Sequence, residues 1–370
     1  MLDFHGIIFA YRTTPALGEL VSKRTAASLP FCGRYRLIDF ALSSMANAGI
    51  RDVGVIMQRD YQSLLDHIGS GKAWDMSRKN GGLRILPPFG LPEYHTGNYT
   101  GTMEALNAVS EYIRDIPQDH VVLLLGDLAA NIDLTPILQQ HLRSGLPITA
   151  ICGDHAPEGP HHRYLVDENG CVRSALFFRE GDCEGLPALE GYVIEKETLL
   201  EMMDDCFAKN LYRFHRDAIA NYLAAGGEMG TYVHHGYAQI IRTVEAFYRA
   251  NKDMLCADKR RELFPAGRPV RTRVHEGVST YYGEKAGSRN SLVADNCIIE
   301  GELSNSVVFS GVRVGEGARL ENCIVFSGCT IEDNVRLSNV IADKDCRFSA
   351  GTMLIGSEKL PTVVPKGKEI

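Results

Sequence analysis

Much of what usually marks a chain's chemistry is scarce in these 370 residues. Ten cysteines are present, but they are scattered singly and none forms a C-x-x-C pair. That excludes a zinc ribbon or dithiol redox pair, and a disulfide framework suits chains far shorter than this one. No basic run stands out and the formal charge is −7, so neither nucleic acid nor an anionic membrane is an expected partner. No stretch approaches the roughly 18 uncharged apolar residues of a membrane helix, and Asp3 followed by a short apolar run does not make a secretory leader. A reducing cytoplasm is the expected location. The one tryptophan, Trp74, lies in GKAWDMSRKNGG, which reads as a mobile surface loop beside a site.

What is present is regular. GIIFA (6–10), DVGVIM (52–57), VVLLLGD (121–127) and PITAICG (147–153) read as buried strands, and TYVHHGYAQII (231–241) as a further one. Between them YQSLLDHIGSG, TMEALNAVSEYI and DLTPILQQHLRSG carry apolar residues at helical spacing. Such alternation predicts an α/β domain with a mostly parallel sheet over residues 1–255. Residues 256–290 read as a charged connector. Beyond it the period becomes six: Val293 and Ile299, Val314 and Leu320, Ile331 and Leu337. That is the signature of a parallel β-helix, expected over 291–356, with 357–370 as a tail. Cys297, Cys323, Cys329 and Cys346 fall in this region and suit the tight interior of a coil better than metal or redox chemistry.

An α/β domain followed by a hexapeptide coil is the layout of sugar-phosphate nucleotidyltransferases. Within them the chain resembles the bacterial glucose-1-phosphate adenylyltransferase (ADP-glucose pyrophosphorylase) family. GRYRLIDFALSSMANAGI (33–50) follows that family's G-x-Y-R-L-I-D-F-x-L-S-N-x-x-N-S-G-I almost position for position. GTMEAL (101–106), LLGD (124–127) and FYRAN (247–251) extend the likeness. The resemblance implies a GT-A-like, Rossmann-like sheet domain, a left-handed β-helix, and attack of a sugar phosphate on the α-phosphorus of ATP.

The chemistry implied by the resemblance needs donors and cations around a triphosphate, magnesium held by carboxylates, and a seated nucleophile. Active relatives carry L-A-G-G-x-G-T-R-L; here Phe9 to Leu17 match without a gap, but Tyr11, Arg12 and Thr14 stand in the glycine places and Ala16 in place of the arginine. The R-A-K-P lysine is Ala26, and the L-P-A-Q-Q glutamines are replaced within Leu86 to Gly90. Asp127 matches the first magnesium aspartate, but the second is Ile240, and the F-V-E-K-P lysine is Glu180. Losing one transition-state arginine alone costs about 10³-fold or more, so catalysis by this chain alone is not expected.

The resemblance therefore points to the family's D-type regulatory subunit. Such a chain needs no cofactor of its own, leaves Mg²⁺ to a catalytic subunit, and assembles with that subunit in a hetero-tetramer, with sugar-phosphate effectors. Arg34 and Arg36 sit where effector phosphates are bound in the family, although Arg36 could equally pair with Asp39 to hold the fold. Gly101 and Thr102 could present backbone N–H groups to a sugar or phosphate, or simply start a helix. Asp127 is either a residual metal contact or a cap for the segment after its strand. The adjacent pairs His161-His162 and His234-His235 point to opposite sides of a strand and are not expected to share an ion. Two alternatives stand beside the regulatory reading: an active nucleotidyltransferase using Asp127 with Asp133 or Glu195, and a β-helix acyltransferase or scaffold.

Overall fold

The computed structural model describes residues 3–79, 81–87, 99–157, 159, 161–179, 183–274 and 276–370. The chain forms two compact units, and neither is continuous in sequence. The first holds residues up to Arg12, Ile38–Ile240 and Leu263–Thr272; the second holds Thr13–Leu37, Ile241–Glu262 and Arg273–Ile370.

The first unit is built on strands β1 (His5–Phe9), β2 (Val53–Ile56), β3 (Leu83–Leu86), β4 (His120–Leu125), β5 (Leu128–Ala130), β6 (Ile148–Gly153), β7 (His161–Val166), β8 (Val172–Arg179), β9 (Leu186–Glu195), β10 (Met229–His234) and β11 (Ala238–Ile240). The main sheet runs β8-β7-β9-β4-β1-β2-β3, with β6 paired to β9 and β10 to β6. Strands β4, β1, β2 and β3 are parallel, as are β6 and β10, while β9 runs against its neighbours. The continuous Val, Ile and Leu content of β1, β2 and β4 fits a sheet covered on both faces, and all of β1 and β2 is buried.

Helix α1 (Ile38–Asn47) is buried along nearly its whole length, and its Asp39 is held by His67 at 2.5 Å. Helix α2 (Leu134–Ser144) is capped by Asp133, which accepts from the Thr135 N–H at 3.2 Å, and it ends where Gly145 turns left-handed. Helix α3 (Lys196–Ala208) follows β9 directly. The stretch read as one strand over 231–241 is two, because the chain leaves β10 and pairs Ala238–Ile240 with β5 instead. Trp74 is fully buried in a short helical turn, with His67 edge-on at 5.9 Å, so the expected mobile surface loop is a packed core position.

The second unit contains the coil. Three faces of five parallel strands each run from Tyr281–Tyr282 to Arg347–Phe348, from Gly287–Arg289 to Met353–Ile355, and from Leu292–Val293 to Thr362–Val364. The six-residue interval places Val314 and Leu320, and likewise Ile331 and Leu337, inward on successive faces. Because all ladders are parallel, hairpins are excluded for this region. Cys297, Cys323, Cys329 and Cys346 are free thiols buried inside the stack. Asparagines such as Asn305, Asn322 and Asn339 take left-handed φ where the chain changes face, a conformation Asn tolerates well.

The coil is longer than residues 291–356. It begins in the expected connector, which also carries a helix at Ala257–Leu263, and it ends in the expected tail, where Thr362–Val364 completes the third face. Helix Val244–Asp253, capped by the Thr243 hydroxyl on the Ala246 N–H at 3.1 Å, packs Phe247 against Phe326. Within the same unit Arg24 and Asp343 form a buried ion pair with two contacts of 2.8 Å.

Candidate functional site

Strand β1 delivers residues 10–12 to the C-terminal edge of the parallel strands, where α/β sheets place their ligands. Ala10 still bonds to Ile56 at 2.9 Å. Tyr11, in a glycine place of the family loop, is buried; its hydroxyl donates to Thr102 Oγ1 at 3.1 Å and its ring meets Tyr99 edge-on at 5.3 Å. Burial pushes its phenol pKa up, so the hydroxyl stays a donor.

Arg12 carries the second departure from that loop. Its guanidinium donates to Glu190 Oε2 at 2.7 Å. Burial disfavours this cation, but Glu190 and Asp127 more than offset the penalty and raise its pKa. Glu190 sits on β9 with a left-handed φ of 57°, an uncommon conformation for a residue with a side chain. Around its carboxylate lie His215 Nε2 at 3.3 Å and His162 Nε2 at 3.8 Å. The other nitrogen of His215 bonds Tyr192 Oη at 2.7 Å, which in turn bonds Tyr164 Oη at 2.6 Å.

Asp127 is buried in the turn between β4 and β5. The segment after it is strand β5, so it caps no helix. Ile240 on β11 pairs with Leu128, the residue next to Asp127, and is itself buried. The resemblance would take the second carboxylate of a magnesium site from this place, and the sec-butyl side chain of Ile240 supplies no oxygen. Asp127 and Ile240 therefore do not supply the pair of carboxylates that the resemblance implies at these two positions.

Gly101 and Thr102 begin a six-residue helix. A side chain at Gly101 would overlap the carbonyl of Tyr212, and the Thr102 hydroxyl is engaged by Tyr11, which supports the helix-start reading. Asp133 is the cap of α2 and pairs with Arg268 at 3.2 Å; Glu195 precedes α3 and accepts from the Thr198 hydroxyl at 3.5 Å. The adjacent histidines do not chelate together: His161 bonds Gly159 O at 2.9 Å, and His235 pairs with Asp154 at 3.1 Å. Glu180 and residues 88–90 of the adenine-reading stretch lie outside the described residues.

In the second unit Ala16 is exposed in a 3₁₀ stretch over Pro15–Val21, and Ala26 is buried in another over Ala26–Ser28. Arg34 is exposed, and Arg36 forms part of a short pairing with Pro30. Arg36 belongs to a concentration of positive charge that sequence spacing does not reveal. Burial together with Arg36, Arg24 and Lys366 pushes Lys344 down to about 8, with Asp343 opposing.

A mostly parallel α/β sheet whose loop, strand-end aspartate and hexapeptide coil follow this order defines the class of sugar-phosphate nucleotidyltransferases. Residues 17–173 match the nucleotidyl transferase family model, and 277–360 match the GlmU-like C-terminal hexapeptide model. The chain is 32% identical over 362 residues to the glycogen biosynthesis protein GlgD of Bacillus subtilis, covering 98% of this chain and 95% of that one. It is 33% identical over 337 residues to GlgD of Geobacillus stearothermophilus, covering 85% and 81% of the two chains. It is also 32% identical over 306 residues to glucose-1-phosphate adenylyltransferase of Clostridium botulinum, covering 81% and 78%. The chain belongs to the glucose-1-phosphate adenylyltransferase family as a GlgD-like member. Among the described residues no helix is long and apolar enough to cross a membrane.

The residues that sequence reasoning missed are Glu190 and His215. No local pattern flags them, since they meet only through the pairing of β9 and the turn that follows α3.

Proposed function

We propose that this chain is a regulatory subunit of a glucose-1-phosphate adenylyltransferase, silent alone, that pairs with a catalytic subunit and promotes formation of ADP-glucose and pyrophosphate from ATP and glucose 1-phosphate in glycogen biosynthesis. The observation that carries this reading is the Arg12–Glu190 ion pair: the only cation the altered loop supplies is neutralised inside the fold rather than turned to a triphosphate. Ile240 beside the Asp127 turn supports it from the metal side. Magnesium and the reacting phosphates then belong to the partner, within a hetero-tetramer in the cytoplasm.

Regulation is placed in the second unit. Arg36, Arg24 and Lys366 act on Lys344 with Asp343 opposing, Asp343 being paired with Arg24 and Asp345 with Lys366, and such a grouping of cationic side chains suits the phosphate groups of a sugar-phosphate effector. Arg34, two residues before Arg36, is exposed.

The test is pyrophosphate release by the purified chain, by its catalytic partner, and by the two mixed. No release by the chain alone and enhanced turnover in the mixture are expected. Robust ADP-glucose synthesis by the isolated chain would instead favour an active enzyme, but Asp133 and Glu195, which such an enzyme would recruit, are engaged in helix-end contacts.

A further inference from the structure

We propose that His162, Glu190 and His215 form a binding site for a divalent transition metal of the zinc class. The three side chains come from β7, β9 and the turn after α3, all within the first unit, and all are buried. One ligating atom from each lies within 4.8 Å of the others.

Donors bound at about 2.0–2.1 Å around a tetrahedral ion stand about 3.3–3.4 Å apart. The His215 Nε2 to Glu190 Oε2 separation of 3.3 Å already has that value, while His162 Nε2 lies 3.8 Å from the other carboxylate oxygen, Oε1, so a small turn of the carboxylate or of the His162 ring is needed for one oxygen to serve with both imidazoles. Two imidazoles and one carboxylate suit zinc, cobalt or nickel, whereas magnesium and calcium select oxygen donors.

Four further features act on the same point. His215 lies in a π-helical turn, Phe214–Ile219, a wide geometry that recurs at functional sites. Its Nδ1 is engaged by Tyr192 Oη, which orients Nε2 toward Glu190, and the Tyr164 hydroxyl braces that tyrosine. Glu190 keeps its side chain on a left-handed backbone position, a strained conformation of the kind that clusters at functional sites. Arg12 donates to the carboxylate at Oε2. The guanidinium also repels an incoming cation, so micromolar rather than nanomolar affinity is expected. Three protein donors leave a fourth position for water or an anionic group.

Metal binding by the isolated chain tests this without any activity measurement, so its outcome is separate from that of the regulatory reading. The chain is stripped with a chelator and titrated with Zn²⁺ and Co²⁺. One equivalent is expected, with visible Co²⁺ bands of four-coordinate geometry and no thiolate charge-transfer band. His162→Ala or His215→Ala should weaken binding by more than the roughly 10–100-fold expected for the orienting variant Tyr192→Phe. His215→Gln serves if the alanine variant does not fold. Affinity should also fall in acid, because protons compete with the metal for the imidazole nitrogens. Absence of binding at millimolar metal, a thiolate band, or unchanged affinity when both histidines are replaced would overturn the proposal.

Discussion

Arg12 and Arg24 are each held by a buried carboxylate, but their surroundings differ. In the first unit Arg12 meets Glu190 with two imidazoles beside it and Asp127 acting from nearby. In the second, Asp343 is bound by Arg24 while Lys344, Arg36 and Lys366 add positive charge around it. In the first arrangement one guanidinium faces one carboxylate; in the second, four cationic side chains lie with two carboxylates, Asp343 and Asp345. The two sets of charges rest on different elements, so on the proposed regulatory reading one can change without the other.

The sharpest way to break this contrast is to remove each carboxylate. Asp343→Ala should destabilise the protein by about 3–5 kcal/mol, since it strands a buried guanidinium; calorimetric unfolding measures it. Glu190→Ala should cost less, about 2 kcal/mol, because the Arg12 side chain is 18% exposed and water screens part of the loss. Equal losses would show that the two pairs do not differ as described.

Proton linkage separates the units further. Lys344 titrates at about 8 in the fold and at its ordinary 10.5 when unfolded. The unfolded chain therefore binds more protons between those values, so this group makes stability rise with pH across that window. Phosphate binding needs the charged form, and the affinity of the full chain for inorganic phosphate, measured by calorimetry, should fall about 10-fold between pH 7 and pH 9. A flat profile would remove Lys344 from the effector seat. The smallest effect is expected for Ile240→Asp, which returns one carboxylate while Arg12 remains bound to Glu190: pyrophosphate release by the chain alone should stay at background with magnesium present.

The coil was legible because a stack of identical turns repeats its inward residues at a fixed interval, so Val314, Leu320, Ile331 and Leu337 state their own positions. Strands β1, β2 and β4 were legible as apolar runs. Trp74 misled because polar neighbours in sequence say nothing of the His67 ring it packs against. The Glu190 cluster was invisible for a related reason: its members lie on separate elements, and the informative quantity is a distance across a fold. The ends of the coil were blurred because its first and last turns replace the six-residue pattern with irregular residues.

The ion pair between Arg24 and Asp343 joins residues 319 positions apart. A ribosome adding roughly 5–20 residues per second needs tens of seconds to span that interval. During all of it the early segment is solvated, its guanidinium matched only by water, while the first unit's sheet can already assemble. The second unit can close only near the end of translation, once the fourth turn of the stack has emerged, and a message truncated before that point leaves the segment at residues 13–37 without its anchor.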